Sequence, residues 1–207
     1  MIGIDEAGRG PLAGPVAVGV VLVPDDFPWS CLLPEVDDSK RLTSSKRMDI
    51  FLAAKELKVA NRLDFKVALT QTATIDRLGI NCAIKLALNR ALLRLRQEHL
   101  TVDLLTATVK LDGGLKAPKT YPNQQTIIRG DQTEPIIGLA SIMAKVTRDQ
   151  YMIKLALNKD YQTYNFSQHK GYGTLAHQQA ILRHGLSAEH RHSYCRRITA
   201  NSRAMNN

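Results

Sequence analysis

Four acidic side chains stand where short apolar runs give way to glycine. Asp5 and Glu6 end the run that opens at Ile2, just ahead of Gly8 and Gly10. Asp112 follows a run over 102–111 and precedes Gly113-Gly114, and Asp131 follows Gly130 after a run over 125–129. If those runs are neighbouring strands, the four carboxylates meet at one end of a sheet. Such a cluster repels itself and is tolerable only when protonated or neutralised by a cation. Oxygen-only donors favour hard ions, Mg²⁺ or Mn²⁺, over zinc. Adjacent strand residues point to opposite faces. Asp5 and Glu6 therefore reach one centre only where the strand ends or bulges, which the glycines permit.

Three further segments carry groups suited to a polyanion. In Gly8-Arg9-Gly10 the glycines let the backbone approach a ligand while the guanidinium stays available. Ser141, Lys145 and Arg148 fall at i, i+4 and i+7, one helix face that could follow a phosphate backbone. "HKGYGT" joins His169 and Lys170 to Tyr172, a ring between glycines that could stack on a sugar or base. Taken singly, each also has a plain reading: a turn, a solvated helix face, a packed tyrosine.

The elements that must position these residues follow from the apolar pattern. Residues 2–5 and the valine-rich 16–23 read as strands joined by a wide glycine-rich connection. Ser44 or Ser45 caps a helix carrying Met48, Ile50, Phe51 and Leu52. Residues 58–68 form a third strand, 102–111 a fourth and 125–129 a fifth. Ile80, Ile84, Leu88, Ala91 and Leu95 recur every three or four residues, the apolar face of a helix over 80–95. Helices are also expected over 136–157 and 174–184, the last stopped by Gly185. The tail beyond is polar, and its final residues are expected to fray. The class is α/β, a mixed sheet flanked by helices with a mostly helical C-terminal region. A catalytic core over 1–139 and a basic part over 140–207, packed on that core, are the expected divisions.

Charge divides along the same line. The 207-residue chain carries 28 Lys/Arg against 19 Asp/Glu, a net +9. Residues 1–139 sum to +2 (18 basic, 16 acidic) and residues 140–207 to +7 (10 basic, 3 acidic). A basic third beside an acidic cluster fits a polyanionic partner gripped next to a cation site. On that reading both Lys145 and Lys170 contribute to the salt dependence of binding. Cys31, Cys82 and Cys195 are dispersed. Their spacing predicts three buried or half-buried thiols, no disulfide framework and no zinc site. The longest apolar stretch, Pro11 to Pro24, is too short for a bilayer span. No membrane partner and a cytoplasmic location are expected.

Several segments occur together, in one order. "GIDEAGRGPLAGPV" (3–16), "DDSKRLT" (37–43), "TIDRLGI" (74–80), "LDGG" (111–114), "IIRGD" (127–131), "ASIMAKVTRD" (140–149) and "HKGYGT" (169–174) resemble the ribonuclease HII family over about residues 2–194. The resemblance implies an RNase H-like fold. It implies cleavage of the RNA strand of RNA–DNA hybrids and nicking on the 5′ side of ribonucleotides embedded in duplex DNA. Two divalent ions, Mg²⁺ or Mn²⁺, would be held by Asp5, Glu6, Asp112 and Asp131. Gly8, Arg9 and Gly10 would read the ribonucleotide 2′-hydroxyl, and Tyr172 would sense the junction with DNA. Ser39, Lys40, Ser141, Lys145, Arg148, His169 and Lys170 would bind substrate. The sister family, ribonuclease HIII, typically has GKG in place of GRG. No Gln-x-x-apolar-x-x-aromatic peptide is visible, so recruitment by a sliding clamp is not expected; a monomer is expected because no oligomerisation seam is visible. Two other classes compete: a nucleic-acid binder that has lost its chemistry, and a related nuclease acting on branched DNA.

Overall fold

The structure is a computed structural model describing residues 1–34, 36 and 42–205. Ser39 and Lys40 lie outside the described residues. Alternation of β-branched and small residues builds the centre of the molecule. β1 (Ile2–Ala7) pairs antiparallel with β2 (Val16–Leu22), which pairs antiparallel with β3 (Asp64–Thr70). On its other side β1 runs parallel to β4 (Val109–Asp112), and β4 parallel to β5 (Gln124–Ile127). The order β3-β2-β1-β4-β5 makes one mixed sheet, as expected. It sets the ends of β1, β4 and β5 side by side. β3 begins six residues later than the expected position 58, because α2 (Ser44–Val59), capped by the Thr43 side chain, runs into that segment and a turn follows it. β4 is confined to the last residues of the expected 102–111 run; the segment before it is a succession of turns.

Each face of the sheet is covered by helices whose apolar stripes match it. Ile2, Ile4, Val16, Val18 and Val20 pack with Ile84, Leu88, Ala91 and Leu95 of α4 (Ile80–Glu98). α4 follows α3 (Thr72–Leu78), a short helix absent from the sequence expectation. The opposite face receives α6 (Pro135–Leu155) together with Ile50, Phe51 and Ala54 of α2. α6 lies almost on the strands. A Cβ at Gly3 would fall 2.5 Å from the Ile136 carbonyl oxygen, and one at Gly19 2.2 Å from that of Ala140. No side chain fits there, so these two glycines let the helix backbone reach the sheet. Since α6 crosses position 139 and packs on β1 and β2, it belongs to the sheet core, and no boundary separates 1–139 from 140–207.

Single-turn helices α1 (Trp29–Leu32) and α5 (Gly130–Thr133) sit in the connections. Beyond α6 come a 3₁₀ segment over Lys159–Tyr164, α7 (Phe166–His169) and α8 (Leu175–His184). The polar tail, expected to fray only at its final residues, forms α9 (His192–Met205). Its start is secured from a distance: Asp76 of α3 accepts from the His192 amide at 2.8 Å and the Ser193 amide at 3.0 Å. A carboxylate at a helix N-terminus satisfies otherwise orphaned donors. Cys195 is buried, but Cys31 and Cys82 are exposed, contrary to the expectation of three sheltered thiols; all three are free. Among the described residues no helix is long and apolar enough to cross a membrane.

Candidate active site

Strand register fixes where the carboxylates go. Gly3 faces α6 and pairs with Lys110, so Asp5 and Asp112, two residues on in each strand, share that face. Asp5 is 5% exposed, under the start of the Ser141 turn of α6. Ser141 eases the Asp5 carboxylate's burial by favouring its charged form, so this residue serves the acidic floor as well as the cleft wall. Asp112 Oδ1 accepts from the Asp131 amide at 3.3 Å, which ties the start of α5 to the end of β4. Asp131 is itself buried.

Glu6 departs from the expected convergence. β1 stays regular through Glu6↔Val18 and Ala7↔Ala17, so the strand neither ends nor bulges at the acidic pair. Asp5 and Glu6 leave on opposite faces. Glu6 Oε1 accepts from Arg9 Nη1 at 2.8 Å, while Glu6 Oε2 is buried with no hydrogen-bond partner among the described residues. Among the described residues, no three His, Cys, Asp or Glu side chains group closely enough to hold one ion. The negative charges still feel one another. Burial, then the charges of Glu6 and Asp112, raise the Asp5 carboxyl well above the ordinary carboxylate range. Burial also raises Glu6, against the pull of Arg9 and with a further push from Asp112.

Beside this floor opens a cleft of about 500 Å³. Glu6, Gly8, Arg9, Gly10, Asp131, Ser141, Lys145 and Tyr172 line it. Arg47, which the sequence analysis did not single out, lines it too, with Nη1 donating to the Leu42 carbonyl at 2.6 Å. Its position at the first turn of α2, after a cap, is the one signal that could have marked it. Lys145 Nζ pairs with Asp149 at 2.8 Å and lies 5.4 Å from the centre of the Tyr172 ring. Tyr172 is 41% exposed, and the Arg148 guanidinium lies 5.7 Å from the centre of its ring.

Three residues expected to touch substrate do other work. Arg148 is fully buried, so it shares no solvent face with Lys145. Its Nε donates to Pro15 O at 2.8 Å, and its Nη2 to Ala13 O at 3.1 Å and Lys170 O at 3.0 Å. The loops over 13–15 and 170 cover that side of α6, which turns the expected phosphate contact into an internal strut. His169 uses both ring nitrogens inside the loop, Nε2 against Tyr164 O at 2.7 Å and Nδ1 accepting from the Gly171 amide at 3.2 Å. The Lys170 ammonium folds back onto the Ser167 carbonyl and is not part of the cleft wall.

Below the tyrosine loop the aromatic rings continue inward. His177 Nδ1 donates to Tyr172 O at 2.9 Å, and His190 Nδ1 accepts from the Ser187 amide at 2.9 Å. The 3.1 Å contact between their Nε2 atoms is then a hydrogen bond from His190 to His177, with both rings neutral. Two more residues that the sequence did not reveal hold the GRG turn. Asn81 Oδ1 accepts from Arg9 Nη2 at 2.7 Å. Arg191, also fully buried, donates to Gly8 O at 2.7 Å, Arg9 O at 2.8 Å, Gly14 O at 3.0 Å and Pro15 O at 3.1 Å.

A second cavity, about 750 Å³, lies at the other end of the sheet and holds no such arrangement. Its charged wall is self-satisfied: burial works to raise Asp64, but hydrogen bonds from Lys58, His99 and Lys66 bring it down to about 2.

Residues 2–197 match the family model described as Ribonuclease HII. A curated relative, the ribonuclease HII of Endomicrobium trichonymphae, is 42% identical over 189 residues, 91% of this chain and 82% of the relative. Among solved structures, the RNase HII of Archaeoglobus fulgidus in its PCNA complex aligns with a TM-score of 0.71 at 22% identity, covering 98% of this chain and 96% of that one. Bst-RNase HIII in complex with Mn²⁺ aligns with a TM-score of 0.73 at 17% identity, covering 98% and 70%.

Proposed function

The chain belongs to the ribonuclease HII family and is a ribonuclease H hydrolase; from that premise we propose that it nicks duplex DNA on the 5′ side of an embedded ribonucleotide and cuts the RNA strand of RNA–DNA hybrids. One observation carries the reading: Glu6, Asp131, the GRG turn and Tyr172 line a single cleft, and the charges of Asp5, Glu6 and Asp112 act on one another beside it. The products would carry 5′-phosphate and 3′-hydroxyl ends, and the cellular role would be removal of RNA primers or misincorporated ribonucleotides.

The donor set fits hard divalent cations. Glu6 Oε2 is a buried carboxylate oxygen with no hydrogen-bond partner among the described residues, and burial, then the charges of Glu6 and Asp112, hold Asp5 above its ordinary range. The manganese complex of the related HIII enzyme supports the same reading. Asp5, Glu6, Asp112 and Asp131 would hold two Mg²⁺ or Mn²⁺ ions. Bound there, they would supply a nucleophilic water and charge stabilisation on the scissile phosphate.

The chain's own residues do the rest. Ser141 orients the Asp5 carboxylate, and the Asp131 amide orients that of Asp112. Lys145 and Arg47 place positive charge along the cleft for flanking phosphates. The GRG turn supplies the test for a 2′-hydroxyl, the group that distinguishes RNA from DNA. Tyr172, held in place by its neighbouring cations, favours a deoxyribose on the 3′ side, where a 2′-hydroxyl would crowd the ring.

The test is incubation with Mg²⁺ or Mn²⁺ and duplex DNA carrying one ribonucleotide, beside an all-DNA duplex and a branched DNA. A single cut 5′ of the ribonucleotide is the expected result. Binding without cutting, or cutting of branched DNA alone, would overturn the reading.

A further inference from the structure

Arg191 lies between α8 and α9, far in sequence from the turn it holds. All four of its acceptors are main-chain carbonyls of one loop: Gly8, Arg9, Gly14 and Pro15. Arg148 binds the same loop at Ala13 and Pro15. Burial, then the charge of Arg148, push the Arg191 guanidinium down to about 10. Beyond the carbonyls, the Tyr194 ring lies 5.2 Å from the guanidinium and the Asp76 charge also favours it, yet a buried charge remains a costly way to fill space. What the guanidinium provides is geometry: a planar fork of donors that a lysine, with one compact ammonium, cannot reproduce.

That geometry has a consequence on the cleft side. In a trans peptide the carbonyl of one residue and the N–H of the next point in opposite directions, and the described chain has no cis peptide. With the Gly8 and Arg9 carbonyls drawn inward to Arg191, the amides of Arg9 and Gly10 face outward, where both residues line the cleft. Neither amide donates to another group among the described residues. The two glycines differ in the same sense. A Cβ at Gly8, where φ is +93°, would fall 2.3 Å from Arg148 Nε, whereas a Cβ at Gly10 would meet nothing within 4 Å. Gly8 answers to the arginine floor beneath the turn. The space beside Gly10 is left to a ligand.

We propose that Arg191 is a positioning residue for ribonucleotide recognition: by holding the Gly8 and Arg9 carbonyls it aims the Arg9 and Gly10 amides, as a pair of donors, at a sugar hydroxyl in the cleft. The proposal rests on the ribonucleotide-reading function above and adds the residue that sets its geometry.

The experiment measures affinity, in EDTA so that no strand is cut, for duplex DNA with one ribonucleotide and for the all-DNA duplex. The ratio of the two is insensitive to the fraction of folded protein. Arg191→Lys is expected to lower the wild-type ratio at least tenfold. Leu88→Ala, a cavity in the α4 core remote from the cleft, is expected to leave it unchanged. A wild-type ratio retained in Arg191→Lys overturns the positioning role alone, while a wild-type protein with no preference removes the ribonucleotide reading and the proposal with it. Should Arg191→Lys not fold, amide exchange on the wild-type protein decides. The Arg9 and Gly10 amides should exchange fast in the free protein and slow at least tenfold with the ribonucleotide duplex only. Unprotected amides alongside a clear preference overturn the proposal.

Discussion

Arg9 and Glu6 form an ion pair across the turn that joins the GRG element to the acidic end of β1, with Nη1 2.8 Å from Oε1. The same guanidinium donates to Asn81 of α4, so one side chain links the carboxylate floor, the turn and the neighbouring helix. Asn81→Ala removes the outer anchor and leaves the ion pair. A lost hydrogen bond to a charged group is worth about 1.5–3 kcal/mol when both partners are sheltered. Arg9 is half exposed, so the lower end applies, and kcat/KM should fall about tenfold with little change in melting temperature. Steady-state kinetics beside a thermal scan checks this.

Asp112→Asn keeps the size and the contact to the Asp131 amide but removes the charge at the centre of the acidic floor. Cleavage should fall by about 10³-fold or more, the equivalent of about 4 kcal/mol of lost charge stabilisation. Hybrid affinity should be largely retained. A substitution that leaves turnover near wild type would sink the assignment of Asp112 to the metal site.

Lys145 and Lys170, alike in the sequence reading, should now behave differently. Lys145 lines the cleft, whereas Lys170 is folded onto Ser167. Replacing Lys145 by Ala should reduce the slope of log K against log salt by about 0.9, one duplex phosphate contact. Lys170→Ala should leave the slope unchanged. Titrations at four or five salt concentrations separate the two.

Gly10→Ala should fold as the wild type does, within about 0.5 kcal/mol, yet bind the ribonucleotide duplex more weakly. Gly8→Ala meets both a positive φ and the Arg148 side chain, and should cost about 2 kcal/mol or more of stability. Urea unfolding midpoints and duplex affinities, measured on the same preparations, test the pair.

His177 and His190 give the fold a pH dependence. Burial, chiefly, brings them down to about 4 and about 3. The unfolded chain takes up protons near pH 6.5 that the folded pair refuses. Their contribution is therefore complete above that pH and lost as pH falls through 6 and 5 toward the folded values. The loss at pH 5 is of order 1–2 kcal/mol per ring. Because His177 donates to the Tyr172 carbonyl, the tyrosine loop should loosen first. Unfolding midpoints at pH 7.5 and pH 5 measure the effect, and His190→Gln should flatten it.

Local pattern was enough for much of this protein. The valines of β2 announced a strand buried on both faces, and the period of Ile84, Leu88, Ala91 and Leu95 announced the α4 stripe. Residue type and order marked Asp5, Glu6, Asp112 and Asp131 as one acidic set, and strand pairing set the ends of β1, β4 and β5 side by side. Spacing also put Ser141, Lys145 and Arg148 on adjoining turns of α6. It could not say which of them faces solvent, because that depends on what covers the helix. The loops over 13–15 and 170 cover it at Arg148 and leave Lys145 at the cleft. Asp5 and Glu6 diverge because hydrogen bonding to β2 keeps β1 regular past both. Arg191 reaches Gly8 across 183 residues of chain, and Asp76 starts α9 across more than a hundred. Contacts at such separation leave no period in a sequence; they exist only once the sheet order has brought the two ends of the chain to the same place.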